Sequence, residues 1–285
     1  MDGFEVRVAV ITGGAFGIGH AIGLALADAG AHVVVADIDT KLAEQTAQEI
    51  AGRGVRSLAV ETDVAERDSV EALAARAYEE FGAVHLLFNN AGVAMHGSLA
   101  EMSEQDWQWV LSVNLWGQVH GVRAFLPRIR EQIRRDGGDA HIVNTASLNG
   151  VVARNNAHGV YTASKYAVVG YSFVLREELA AEGIGVSVLC PSMMDTGLPT
   201  AGRNRQERFG GPLTQPPMPI PPRREPADPA IMAPRILAGV LDNRRFIFTH
   251  PDTRSVVEEY HAELLADYDA LDKALEPGYG VVSSL

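Results

Sequence analysis

Short β-branched runs alternate along this chain with longer segments whose apolar residues recur every three or four positions. A period near 3.6 marks a helix with one buried face, while a short continuous apolar run marks a strand covered on both sides. On that pattern Val6–Thr12 is strand one and Ile18–Ala29 the helix after it, stopped by Gly30. His32–Asp37, Val55–Glu61 and Val84–Asn89 read as strands two to four, with helices from Lys41 to about Arg53 and over Glu66–Phe81 between them. Two helices fill the stretch from Ser103 to about Arg135; Ser103-Glu104-Gln105-Asp106 resembles a capping box at the first, and Gly137-Gly138 ends the second. His141–Thr145 is strand five, Val160–Glu182 a long helix ending at Gly183, and Gly185–Cys190 strand six. A helix from Asp228 to Asn243, a seventh strand at Arg245–Thr249 and an amphipathic helix over Arg254–Leu275 complete the pattern, the last with Val257, Tyr260, Leu264, Tyr268 and Leu271 on one stripe. Strands alternating with helices build βαβ units. The expectation is a Rossmann-type α/β fold: a doubly wound parallel sheet of about seven strands in a three-layer αβα arrangement, forming a single domain.

The rhythm breaks between Met193 and Pro229, where most of the prolines fall and neither period is visible. An irregular segment of that length inside a compact domain is usually functional, and residues 193–229 read as a substrate lid. Met193, Met194, Leu198, Leu213, Met218 and Ile220 supply apolar surface there. Arg203, Arg205, Arg208, Arg223 and Arg224 read first as solvated lid charges and second as contacts for an anionic group. Residues 251–285 read as a C-terminal helix and tail.

Composition narrows the partners. A length of 285 residues suits one large α/β domain. A formal net charge of −12 leaves no basic balance to neutralise phosphates, which argues against nucleic acid and against an anionic membrane surface. Cys190 is the one cysteine, so no intrachain disulfide can form, and a reducing, cytoplasmic compartment is expected. It closes an apolar run and reads as a buried strand residue rather than a nucleophile. Residues 1–7 lack the apolar centre of a signal peptide. Val8 to Ala27 carries no formal charge over a length that could span a bilayer, but its five glycines, a Thr and a His divide it into strand, turn and helix.

Three places carry chemistry. Thr12-Gly13-Gly14-Ala15-Phe16-Gly17-Ile18-Gly19 joins the first strand to its helix. Its glycines permit a tight turn and let the backbone approach a pyrophosphate, and the helix N-terminus adds free N–H groups and a positive dipole end. The spacing is Gly-x-x-x-Gly-x-Gly, not the general dinucleotide fingerprint. Asp37 closes strand two, placed to accept hydrogen bonds from the ribose hydroxyls of NAD and to repel the 2′-phosphate of NADP; its other reading is a cap for the next helix. Tyr161-Thr162-Ala163-Ser164-Lys165 sets a phenol and an ammonium one turn apart on a helix face. A neighbouring cation lowers a tyrosine pKa from its usual ~10, so that the phenol can exchange a proton near neutral pH. Ser147 follows a strand end, where open α/β sheets place their ligands, and can both donate to and accept from an alcohol or carbonyl oxygen. The histidines show no metal-ligand spacing.

The Thr12–Gly19 turn, Asp63-Val64, Asn89-Asn90-Ala91-Gly92, Asn114, Ser147, Tyr161 and Lys165 together resemble the short-chain dehydrogenase/reductase family in its non-extended form, over roughly Val6 to Pro191 and more loosely to the end. The resemblance implies that Gly13, Phe16, Gly17, Ile18, Gly19 and Asp37 surround NAD, with Asp63 and Val64 bordering the adenine and Asn89, Ala91 and Gly92 lining the cofactor after strand four. Tyr161 would be the acid/base, Lys165 would hold the nicotinamide ribose, Ser147 would bond the substrate oxygen, and Asn114 would hold a relay water. Pro191 and Thr196 would meet the nicotinamide. Pro191-Ser192 departs from the family's usual Pro-Gly, and the Ser147–Tyr161 interval is one residue longer than is usual in the family, with Asn155-Asn156-Ala157-His158 as its expected bulge. Met95, His96, Leu148, Asn149 and Met193 are substrate-pocket walls by position. No metal is implied. Phe246-Ile247-Phe248-Thr249-His250-Pro251 and the helix after it look like those of members acting on large apolar or aromatic secondary alcohols, among them Cα-dehydrogenases of aryl ethers and hydroxysteroid dehydrogenases. The expected activity is NAD-dependent interconversion of such an alcohol and its ketone, in a homodimer or homotetramer paired through the helical regions around Trp109, Trp116 and Val160–Glu182. The alternatives are an NADPH-dependent carbonyl reductase and a non-catalytic cofactor-binding regulatory protein.

Overall fold

The computed structural model of the chain describes residues 3–153, 158–214 and 225–274. The expectations for Asn155, Asn156 and Ala157, and for Met218, Ile220, Arg223 and Arg224 in the lid, lie outside them. The described elements are β1 (Val8–Thr12), α1 (Gly17–Asp28), β2 (His32–Asp37), α2 (Thr40–Ala51), β3 (Ser57–Glu61), α3 (Arg67–Phe81), β4 (Leu86–Asn89), α4 (Glu104–Leu111), α5 (Gly117–Asp136), β5 (Ala140–Thr145), α6 (Gly159–Leu179), β6 (Ile184–Cys190), α7 (Pro229–Leu241), β7 (Phe246–Phe248) and α8 (Arg254–Ala274). All are the elements the pattern predicts, with ends displaced by a turn or less.

The seven strands form one parallel sheet in the order β3-β2-β1-β4-β5-β6-β7. All five residues of β1 are buried, because helices cover both faces of the sheet and leave no polar side. The two-residue period of a strand sends alternate side chains into two separate cores. Val8 and Val10 of β1 join Val34, Leu87, Leu73, Phe125 and Leu175 on the face carrying α3, α5 and α6. Ala9 and Ile11 join Val33, Phe88, Ile22, Leu26, Ile50 and Ile236 on the face carrying α1, α2 and α7.

The chain winds outward from β1 to β3, then returns to place β4 on the other side of β1, with Val10 paired to Leu87 and Ile11 to Phe88. In open α/β sheets this reversal opens a crevice at the carboxyl ends of the two strands, where ligands bind. Asn90 closes its floor, its Nδ2 donating to the carbonyl oxygens of Thr12 at 3.1 Å and Gly13 at 3.2 Å.

The capping box at α4 is complete: Ser103 Oγ accepts from the Asp106 N–H at 3.2 Å, and Asp106 Oδ2 accepts from the Ser103 N–H at 3.0 Å. Between α4 and α5 the helix widens into a π turn over Ser112–Trp116 that carries Asn114. Such turns often mark functional positions. The sheet and the helices on its faces belong to a compact unit, Met1–Thr249; His250–Leu285 is a second unit, in which a 3₁₀ turn at Pro251–Thr253 leads into α8. Among the described residues no helix is long and apolar enough to cross a membrane.

Candidate active site

A cavity of about 390 Å³ lies along the carboxyl ends of the strands, reached by Gly13 after β1, Asp37 of β2, Asn90 after β4, Thr145 of β5 and Pro191 after β6. At its first corner the glycine turn brings backbone against backbone. Gly13 has φ +62°, and a Cβ there would lie 2.8 Å from Ala91 Cα. A Cβ on Gly19 would lie 2.2 Å from the Gly13 carbonyl oxygen. Only glycine permits these approaches. Phe16 gives α1 no side-chain cap, so the helix keeps its free N–H groups and positive dipole end for an anion. The cradle fits a dinucleotide pyrophosphate. Gly13, Phe16 and Ile18 line the cavity, while Gly17 and Gly19 shape the turn without lining it.

Asp37 stands beside the turn. Its Oδ2 accepts from the Ala15 N–H at 3.1 Å and its Oδ1 from the Asp39 N–H at 3.0 Å. The next helix is capped by a different residue, Asp39, whose Oδ1 accepts from the Leu42 N–H at 3.1 Å. Burial raises the Asp37 pKa above the ordinary carboxylate value, against the pull of the Asp39 and Ala15 N–H groups. No Arg or Lys pairs with Asp37 among the described residues. Asp63 and Val64 also line the cavity. Asn89 does not: its Nδ2 is spent on Asn144 Oδ1 at 2.9 Å, tying β4 to β5 inside the sheet. The neighbouring Asn90, Ala91 and Gly92 take the lining positions.

At the other end, α6 presents Tyr161 and Lys165 on one face, with Lys165 Nζ 5.5 Å from the centre of the phenol ring. The ammonium donates to the Thr145 carbonyl oxygen at 2.8 Å. The Ser147 hydroxyl, just past β5, stands close enough to the Tyr161 phenol to lower its pKa. Ser147 Oγ also accepts from the Asn149 N–H at 3.1 Å, capping the short turn Leu148–Gly150. The expected lowering of the Tyr161 pKa is not found. Burial pushes the phenol up to about 12, and the Ser147 hydroxyl only partly offsets it. Burial likewise pushes the Lys165 ammonium down to about 7. Desolvation disfavours whichever form is charged, so the two groups move together toward neutrality. Cys190 follows the same rule, its buried thiol pushed up to about 12.

Asn114 is fully buried and does not line the cavity. Its Oδ1 accepts from the Val93 N–H at 2.8 Å, and its Nδ2 donates to Val93 O and to Ser164 Oγ, each at 2.9 Å. Ser164 Oγ in turn donates to the Tyr161 carbonyl oxygen at 2.6 Å. The side chain braces the irregular segment following β4 against the helix that carries the phenol.

Leu148, Asn149 and Met193 wall the reaction end, together with Pro191, Ser192 and Thr196. Met95 does not; it is 8% exposed and belongs to the apolar core. Residues that no spacing announces also reach the cavity, among them Trp109, Val113 and His158. The His158 ring stands edge-on to His96, with centres 4.4 Å apart, and 6.2 Å from the Tyr161 ring. A backbone bridge between Gly97 and His158 brings these distant segments together. Burial and the neighbouring His158 lower the His96 pKa.

The described part of the lid contains two short 3₁₀ turns, Leu198–Asn204 and Glu207–Phe209. Arg205 is not a solvated charge: its side chain is 6% exposed and pairs with Asp106 at 2.6 Å. Its guanidinium lies 5.4 Å from the Trp109 ring centre. Gln206 Nε2 and Arg208 Nη2 both donate to Asp63 Oδ2 at 2.9 Å. The lid therefore reaches the Asp63 end of the cavity as well as the Tyr161 end.

The family model described as short chain dehydrogenase matches residues 7–207. The chain belongs to the short-chain dehydrogenase/reductase family. A crystallised short-chain dehydrogenase/reductase from Burkholderia phymatum, in complex with NAD, is 34% identical over 100% of both chains, with a TM-score of 0.85. A C alpha-dehydrogenase from Sphingobium sp. is 31% identical over 93% of this chain and 87% of its own length. A CLA biosynthesis dehydrogenase/reductase from Lactiplantibacillus plantarum is 30% identical over 94% of this chain and 96% of its own. This short-chain dehydrogenase/reductase is an oxidoreductase acting on CH–OH groups.

Proposed function

We propose that this enzyme oxidises a bulky apolar or aromatic secondary alcohol to its ketone with NAD. The observation that carries the reading is the convergence of Ser147, Tyr161 and Lys165 at one end of a cavity whose other end holds the Asp37 carboxylate. Asp37 supports NAD over NADP, because a carboxylate without a cation beside it accepts from ribose hydroxyls and repels a phosphate. Trp109, Val113, Leu148, Met193, Met194 and Leu198 on the cavity wall support a large apolar substrate. The similarity to a C alpha-dehydrogenase points the same way.

A bound nicotinamide dinucleotide supplies the hydride acceptor. The chain's own residues bind and deprotonate the alcohol. Ser147 holds the alcohol oxygen, and Tyr161 takes its proton at the phenol oxygen as the carbonyl forms. Lys165, fixed by the Thr145 carbonyl, sets positive charge near the ring when protonated. Asn114 keeps the segment at Val93 against α6, so that phenol and ammonium stay in register with the cavity floor. Because burial favours the neutral phenol, Tyr161 is ready to donate its proton in ketone reduction, while oxidation requires nearby positive charge to draw that proton off.

The test is NADH formation from NAD⁺ with aryl benzylic, steroid and small polyol secondary alcohols, run in both directions and repeated with the phosphorylated cofactor. Turnover confined to one bulky class is expected. Tyr161→Phe is expected to lower kcat by roughly 10²-fold or more while dinucleotide binding persists. An active Phe variant would refute the proton-transfer role.

A further inference from the structure

We propose that Arg203, carried by the lid, is a pyrophosphate-binding residue that closes over the anion held in the glycine turn. The inference rests on the reading of the cavity as a dinucleotide site. Two close approaches place the lid on that turn, and a third brings Arg203 to them. A Cβ on Gly17 would lie 3.0 Å from Thr196 Cβ. A Cβ on Gly197 would lie 3.1 Å from Phe16 Cδ1 and 3.6 Å from Arg203 Nη2. The Arg203 fork, Gly197 and the Phe16 ring therefore meet at the N-terminus of α1.

Charge distinguishes Arg203 from its neighbours. A pyrophosphate brings two negative charges, while the turn offers only N–H groups and the fractional charge of a helix end. No Lys or Arg stands within Thr12–Gly19. Of the described cavity-lining residues, Lys165 and Arg203 are the lysine and arginine, and Lys165 is committed to the Thr145 carbonyl at the opposite end. The other described lid arginines are neutralised, Arg205 by Asp106 and Arg208 by Asp63 and Glu66. Arg203 pairs with no carboxylate among the described residues. Its Nη1 donates to Thr200 O at 3.1 Å and Thr200 Oγ1 at 2.6 Å, which aims the planar fork and leaves Nη2 for an acceptor. A guanidinium fork matches paired phosphate oxygens.

The test compares wild type with Arg203→Met and Arg203→Lys by titration calorimetry. The probes are ADP-ribose, which carries the pyrophosphate, and adenosine, which carries none. The Met variant is expected to bind ADP-ribose about tenfold more weakly or worse, the usual loss for one charge-assisted hydrogen bond. Its adenosine affinity should match wild type, its ADP-ribose binding should depend less on salt, and Lys should restore part of the loss. Unchanged ADP-ribose affinity overturns the proposal, as does an equal loss for adenosine, which marks a collapsed lid rather than a lost ion contact. A KM rise confined to anionic substrates, with ADP-ribose binding intact, assigns Arg203 to the substrate and overturns it as well. A wild type that binds ADP-ribose no better than adenosine overturns the dinucleotide reading itself.

Discussion

Asp37 shows how one side chain serves structure and selectivity together. Its Oδ2 holds the Ala15 N–H of the glycine turn, so removing the side chain disturbs the cradle as well as the charge. Asparagine separates the two roles, because its amide oxygen still accepts a hydrogen bond but bears no charge. Asp37→Asn should therefore leave NAD⁺ affinity within a few-fold while NADP⁺ affinity rises roughly tenfold or more, as repulsion of the 2′-phosphate disappears. Equilibrium titration with both dinucleotides checks this; an unchanged ratio would place selectivity elsewhere. Asp37 was legible in the sequence because it ends an unmistakable apolar run at a fixed offset from the glycine turn. Tyr161 and Lys165 were legible as neighbours because helix geometry fixes what lies one turn apart. Their titration was not, since spacing reports a nearby charge but not the loss of water around it. The assignments of Asn89 and Met95 to the cavity missed for a related reason: adjacency in the chain does not say which face of a strand or loop a side chain takes.

At the scale of elements, the capping box at α4 was readable from Ser103 and Asp106 alone, but its second use was not. Asp106 also receives Arg205 from the lid, far along the chain. Burial pushes the Asp106 carboxyl up, but hydrogen bonds from Ser103 and Arg205 pull harder and hold it below the ordinary range. Removing the carboxylate leaves Arg205 buried without a counter-charge, a change that typically costs about 3–5 kcal/mol, whereas losing a helix cap costs about 1 kcal/mol. The larger loss falls on the lid. Asp106→Ala should accelerate tryptic cleavage after Arg203, Arg205 and Arg208 well beyond its effect on cleavage in the sheet. Mass spectrometry of the early fragments tests this, and a variant cut no faster at those sites would show the ion pair to be dispensable. The π turn at Ser112–Trp116 was also hidden, because one extra residue in a turn barely alters an apolar pattern.

For the molecule as a whole, one group outside the cavity ties stability to pH. His141 of β5 bonds Ser187 of β6 through Nε2 at 2.8 Å. Burial, with help from the nearby Arg176 charge, pushes its pKa down to about 4. In this window the unfolded chain binds a proton that the folded chain refuses, so stability rises with pH. The contribution is complete above the ordinary histidine pKa near 6.5 and is lost as pH falls toward 4, a change of up to about 3 kcal/mol. Wild type should melt at progressively lower temperature over that range. His141→Gln, which carries a donor at similar reach and does not titrate, should show a flatter profile. Parallel profiles for the two proteins would exclude His141 as the source.

The join between β1 and β4 divides the chemistry of the molecule. Gly13, Asp37 and Asp63 come from the chain before it, and Ser147, Tyr161 and Lys165 from the chain after it. Neither portion contains both the cradle and the proton-transfer group. A nascent chain released as far as β3 carries the glycine turn but lacks Asn90 and Ala91, which close against it, and every group that moves a proton. A chain severed between β3 and β4 would regain turnover only as its fragments rejoin along β1 and β4 and through the packing of α1 on α7 and α3 on α5, so catalysis itself reports sheet assembly.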